Sequence, residues 1–226
     1  LCAAFSWPSA HAQTTSFNAL DALGISGKAA AAPRSDGVVT SPAVSSTQTQ
    51  AQLLAWAPDG MSTGKTLWLG LRIQHEPHWH TYWKNSGDSG LPTELKWQLP
   101  DGWSAGAVSW PTPKKFALGP LANYGFDGTV LLPTAITMGP FDRVNGSATV
   151  KLAASWLACK TECIPEDASF ELTIPFAIDT GGASPLTAHS RLFKDTLARV
   201  PEALVGLDAR AHVSADDASH LRWALT

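Results

Sequence analysis

The stretch "TLWLGLRI", Thr66 to Ile73, places Leu67, Leu69, Leu71 and Ile73 at every second position, with Trp68 and Arg72 among the residues between them. Successive side chains of a strand point to opposite faces, so this spacing makes one apolar face and one mixed face. A helix would need its apolar residues three and four apart. The same alternation runs through "AQLLAWA", "HTYWKN", "TELKWQL", "GAVSWP", "GTVLLPTAITM", "ATVKLAASWLA" and "ASFELTIPFAI", with Gly, Pro, Asn and Asp between the segments. About eight short strands separated by turn signals predict an all-β fold, an antiparallel sandwich. Ten tryptophans fit this reading, because large rings fill the space between two sheets.

The flanks read differently. Residues 1–12, "LCAAFSWPSAHA", are apolar and end in Ala10-His11-Ala12, which matches the tail of a secretory signal cleaved after Ala12. Cleavage there would remove Cys2; a lipoprotein role for Cys2 is the competing reading. From Gly24 to Gln50 the chain is rich in Ala, Ser, Thr, Pro and Gln and poor in large apolar groups, so residues 13–50 are expected to form a flexible leader. The sandwich is expected over 51–180. Residues 181–205 then read as a linker and a helix, since Leu186, Leu192, Phe193, Leu197 and Val200 recur at helical intervals. Residues 206–226 read as two strands and a turn that begin a second small β domain of a longer protein. No run of about eighteen apolar residues is present, so membrane contact is expected only through a further C-terminal part. The net charge of −3 gives no reason to expect nucleic acid as a partner.

Three stretches carry candidate chemistry. "NSGDSGLP", Asn85 to Pro92, invites comparison with the nucleophile loop of chymotrypsin-like proteases. Too little ordered chain precedes Ser89 to supply a base and its orienting acid, so a Gly-rich connection is expected. "HEPHWH" brings His75, His78 and His80 close together, and on a strand residues 78 and 80 would share a face able to bind copper or zinc. Against this stands an ordinary role for hydrogen-bonded histidines at a strand start. The third stretch, "SWLACKTECIPEDA", holds Cys159 and Cys163. A disulfide across so short a loop would remove little chain entropy from the unfolded state, which makes it a weak staple and favours redox work. Structural and metal-binding roles stay open at this level. Lys160 beside Cys159 favours a thiolate, whereas Glu162 and Glu166 oppose one.

Taken together, "HWHTYWKNSGDSGLPTELKWQLPDGW", "WPTPKKF", "YGFDGTVLLP" and "WLACKTECIPEDASFELTIP" resemble the periplasmic N-terminal domain of the thiol:disulfide interchange protein DsbD, most closely its branch containing suppressor of copper sensitivity protein B (ScsB). The resemblance spans about residues 50–178. It implies an immunoglobulin-like fold and a protein-disulfide reductase in the periplasm of a Gram-negative bacterium, without a bound cofactor. It implies Cys159 and Cys163 as the redox pair, fed by a thioredoxin-like domain of the same full-length protein and serving periplasmic thioredoxin-fold clients. Cys163 followed by Ile164-Pro165 resembles the family's nucleophile. The family's aromatic cap falls near "KKFALGPLANYGF", with Phe116 or Tyr124 as the shield and Glu166 close enough to tune a thiol. The short spacing between the cysteines departs from the family's wider one. The alternative reading is a periplasmic copper-tolerance module using His75, His78 and His80.

Overall fold

The alternation of Leu67–Ile73 is realised as the middle of a strand running from Leu67 to His75, in a computed structural model that describes residues 37–62, 64–140, 146–176, 187–202, 209–213 and 221–225. In chain order the strands begin with β1 (Val38–Thr40), β2 (Val44–Ser45), β3 (Thr49–Trp56), β4 (Leu67–His75) and β5 (His80–Gly87). β6 (Glu94–Gln98), β7 (Ser104–Val108), β8 (Lys114–Leu118), β9 (Leu121–Asp127) and β10 (Thr129–Thr137) follow. The long pair β11 (Ser147–Cys159) and β12 (Cys163–Pro175) precedes helix α1 (Ala188–Leu197) and the strands β13 (Ala209–Val213) and β14 (Leu221–Leu225).

Two antiparallel sheets pack face to face. The first has the order β1-β3-β4-β10-β7, with β2 also on β3; the second runs β12-β11-β5-β9-β8, with β6 also on β11. Leu67, Leu69, Leu71 and Ile73 are all fully buried between them. They meet Val150, Leu152, Trp156, Phe170, Leu172 and Ile174 from β11 and β12. On β11 the even-numbered residues from Ala148 to Ala158 are buried and the odd ones from Ser147 to Ser155 exposed, so a strict period of two sets which face meets the core. This is the expected immunoglobulin-like sandwich, and Trp79 and Trp83 pack against its core as Trp156 does within it.

Several boundaries differ from the sequence expectation. Residues 38–49, assigned above to a leader, contribute β1, β2 and the start of β3, so the domain begins earlier than residue 51. Their pairing with β3 is made by backbone groups and leaves little apolar signal in the side chains. Residues 1–36, including the expected signal remnant, lie outside the described residues. α1 is more than a linker element. Thr187 caps its N-terminus by accepting from Ser190 N at 3.3 Å, and Phe193 is fully buried against Leu54, Trp56 and Leu131 on the outer face of the first sheet. A Cβ on Gly70 would come within 2.8 Å of Leu131 Cδ1 and 3.1 Å of Phe193 Cε1, which shows how closely this contact is packed. β13 and β14 form a two-stranded antiparallel sheet of their own.

Candidate functional site: a disulfide cleft at a hairpin tip

β11 and β12 pair without interruption from Ser147 opposite Pro175 to Cys159 opposite Cys163. The hairpin turns through Lys160, Thr161 and Glu162, where Lys160 N donates to Glu162 O at 3.0 Å. Opposed residues of an antiparallel pair share a face, so the two cysteines meet and form a disulfide, with Cα atoms 4.1 Å apart. Their environments differ. Cys159 is 3% exposed, whereas Cys163 is an exposed residue. Both have odd numbers, which puts them on the outer face of the second sheet, opposite to Trp156 and Ala158.

Cys159 also pairs across its other edge with His80, the first residue of β5. His80 and Tyr82, two residues apart, therefore stand beside the disulfide on the same outer face. With Phe116, Asn123 and the hairpin loop they line a cleft of about 220 Å³. Tyr82 is 2% exposed, and its hydroxyl lies 3.6 Å from Cys163 Sγ. Burial raises its pKa above the ordinary 10.0, so the hydroxyl keeps its proton and can donate to the sulfur. Gly90 packs on the ring so closely that a Cβ there would lie 2.3 Å from it, at a φ of +87°. The loop holding Gly90 is fastened to β9: Ser89 donates through N and Oγ to Asn123 Oδ1, at 3.0 and 3.1 Å, and Asp88 Oδ2 accepts from Ala122 N at 2.7 Å. The motif "NSGDSGLP" is thus the expected connecting loop. Its serine faces an amide, and it covers Tyr82 from outside.

Phe116 stacks on His80 with ring centroids 4.5 Å apart and 11° between planes, and His80 meets Tyr82 edge-on at 5.4 Å. The expected cap stretch "KKFALGPLANYGF" is the β8–β9 hairpin, and of its two candidate aromatics only Phe116 lines the cleft. Tyr124 is 36% exposed. It pairs with Lys115 while Phe116 pairs with Asn123, so Tyr124 points to the opposite face. Glu166 does not line the cleft either. Its parity places it on the core side of β12, where its carboxylate accepts from Trp156 Nε1 at 2.8 Å, Ser46 Oγ at 2.7 Å and Thr49 Oγ1 at 2.5 Å. It ties the hairpin to the other sheet and stands away from the thiols.

The three histidines do not act together. His75 is buried: its Nδ1 donates to Gly128 O at 2.8 Å, and its Nε2 accepts from Thr81 Oγ1 at 3.0 Å, leaving no nitrogen for a metal. His78 precedes β5 with a φ of 73°, so the strand alternation assumed for residues 78 and 80 does not apply. No group of three or more His, Cys, Asp or Glu able to hold a metal ion occurs among the described residues. This removes the basis for the three-histidine copper module. Tyr82, His80 as a neighbour of Cys159, and Asn123 are the site residues that sequence reading missed. The only advance signal was the period-two spacing of His80 and Tyr82.

Residues 49–175 match the family model for the N-terminal domain of the thiol:disulfide interchange protein DsbD. The chain belongs to this family. Among solved structures, the DsbD-type chain is similar to the N-terminal periplasmic domain of ScsB from Proteus mirabilis, with 20% identity and a TM-score of 0.54. The match covers 76% of this chain and 64% of the ScsB domain, and at this identity it speaks for the fold. No curated protein matches the chain. The DsbD family is one of thiol-disulfide interchange, and this member carries a bonded cysteine pair in its surface cleft. None of its described helices is long and apolar enough to cross a membrane.

Proposed function

We propose that this domain is a periplasmic protein-disulfide reductase module that relays electrons through Cys159 and Cys163. A thioredoxin-like domain of the same full-length protein reduces the pair, and the pair then reduces thioredoxin-fold clients. The observation that carries this reading is the asymmetry of the disulfide: it sits at a hairpin tip, with Cys163 exposed and Cys159 buried.

In the reduced domain the Cys163 thiolate attacks a client disulfide, and one client sulfur leaves as thiolate. Cys159 then attacks Cys163 Sγ, the mixed disulfide breaks, and the client departs as a dithiol. Two electrons pass to the client and the Cys159–Cys163 bond is restored. Tyr82 OH donates to Cys163 Sγ and so stabilises it as a thiolate. Phe116, stacked over the cleft wall, shields the pair from small thiols until a partner displaces it.

The test is the thiol-disulfide equilibrium of the pair in glutathione buffers of graded ratio, read by thiol labelling and mass. A midpoint at roughly −180 to −270 mV supports a relay. A midpoint below about −300 mV marks a permanent structural bridge and ends the proposal.

A further inference from the structure

His80 has no role in the chemistry described so far, yet its position is unusual. It is the direct cross-strand neighbour of Cys159, the buried sulfur that must resolve the mixed disulfide. Its ring is held on two sides, flat against Phe116 and edge-on to Tyr82. Its Nε2 is shielded from water and has no hydrogen-bond partner while the disulfide is closed. A buried nitrogen without a partner costs free energy, so a site retains one where another state of the molecule uses it. Opening the disulfide creates such a state, because it releases a Cys159 thiol into the cleft that His80 lines.

We propose that His80 is the proton acceptor for Cys159: its Nε2 takes the Cys159 S–H proton as that sulfur attacks Cys163 in the mixed disulfide. The Cys159–Cys163 bond forms, the bond from Cys163 to the client sulfur breaks, and the client sulfur leaves with the electron pair. The imidazolium then gives its proton to that leaving thiolate. When the donor domain reduces the pair, the steps run in reverse, with His80 protonating Cys159 as it leaves.

The surroundings keep His80 in the accepting form. Burial lowers its pKa below the ordinary 6.5, and Asp127 opposes that effect from the adjacent register position on β9. Asp127 is itself ion-paired with Lys114 of β8. His75 on β4 is close enough for a charged His80 to lower its pKa further, behind the effect of its own burial. Lys160 and Glu162 of the hairpin loop and His78 before β5 complete the polar rim of the cleft, together with the Tyr82 hydroxyl. Tyr82 does not take the proton itself: its hydroxyl faces Cys163 and holds its proton more tightly than an ordinary tyrosine.

This inference rests on the proposed exchange function, and one experiment separates the two. The reduced 226-residue chain carrying Cys2→Ser, so that Cys159 and Cys163 are its only thiols, is mixed with a chromogenic aryl disulfide, and release of the coloured thiolate is followed in time. Attack by Cys163 releases the first equivalent and resolution by Cys159 the second. His80→Phe keeps a flat ring against Phe116, and its second release is read relative to its own first release. Removal of a general base is expected to slow the second release by ~10²-fold and to abolish its fall at acid pH. His80→Gln, polar but unable to titrate near neutrality, is expected to slow the second release as well, and thermal melts of both variants confirm folding. A second release in His80→Phe as fast as in the parent, with the same pH profile, overturns the role of His80. If the parent itself gives no second release, the exchange function fails, and the role of His80 falls with it.

Discussion

The outer faces of the two sheets are built from the same alternation and put to opposite uses. On the first sheet, Leu54, Trp56 and Leu131 face outward and α1 closes over them with Phe193, leaving an apolar contact without chemistry. On the second sheet the corresponding face carries Cys159, Cys163, His80 and Tyr82, covered locally by Phe116 and the Gly90 loop. A helix laid across that face would have blocked any partner. A single aromatic ring and a loop keep the cleft small while leaving Cys163 exposed. The same fold thus has one outer face closed by a helix and one that leaves a disulfide accessible, the face on which the proposed exchange would take place.

The largest expected effect breaks the reactive face. Cys163→Ser abolishes exchange, and Cys159→Ser arrests it at a mixed disulfide with the client that mass spectrometry detects. Either variant loses at most about 2 kcal/mol of stability, because so short a loop restrains the unfolded chain little; denaturant titration checks this. A variant that unfolds outright would instead make the disulfide a staple. Phe193→Ala attacks the other face and should cost about 3–5 kcal/mol of stability through the cavity it leaves. Its glutathione midpoint should equal that of the parent, and a shifted midpoint would show that the two faces are coupled.

Smaller effects sharpen the contrast. Phe116→Ala should speed attack by a small thiol on the disulfide roughly two- to tenfold, the equivalent of losing an aromatic pair worth ~0.5–1.5 kcal/mol. Stopped-flow reduction measures this, and an unchanged rate would deny Phe116 its shielding role. The smallest concerns His75, which lies inside the sandwich. Burial lowers its pKa in the folded state below the ordinary 6.5, so folding favours the neutral ring. Its contribution to stability is therefore complete above about pH 6.5 and is lost as the pH falls through the folded-state pKa. Unfolding midpoints at acid and neutral pH should show that loss, and His75→Asn should remove it.

How far the chain could be read varied with the kind of signal. β4 and β11 were legible because each turns apolar residues to the core at every second position, which stamps a period of two on the sequence. β1 and β2 were not, since they hold their places through backbone bonds to β3. The hairpin β8–β9 was placed as a cap only through the family resemblance, and its two strands went unread because their residues alternate weakly. Glu166 shows the limit of nearness along the chain. It lies three residues from Cys163, and in a strand an odd separation means opposite faces, so its carboxylate serves the core side.

By itself the sequence determined the sandwich and the cysteine pair, because alternation, turn residues and thiol chemistry are local properties of the chain. Only the tertiary structure decided which sulfur is buried, which aromatic covers the cleft, and that His80 and Tyr82 attend the disulfide. Those choices depend on how β5 aligns with β11 and β9, registers between segments far apart in the chain in which a shift of one residue would turn each side chain to the other face.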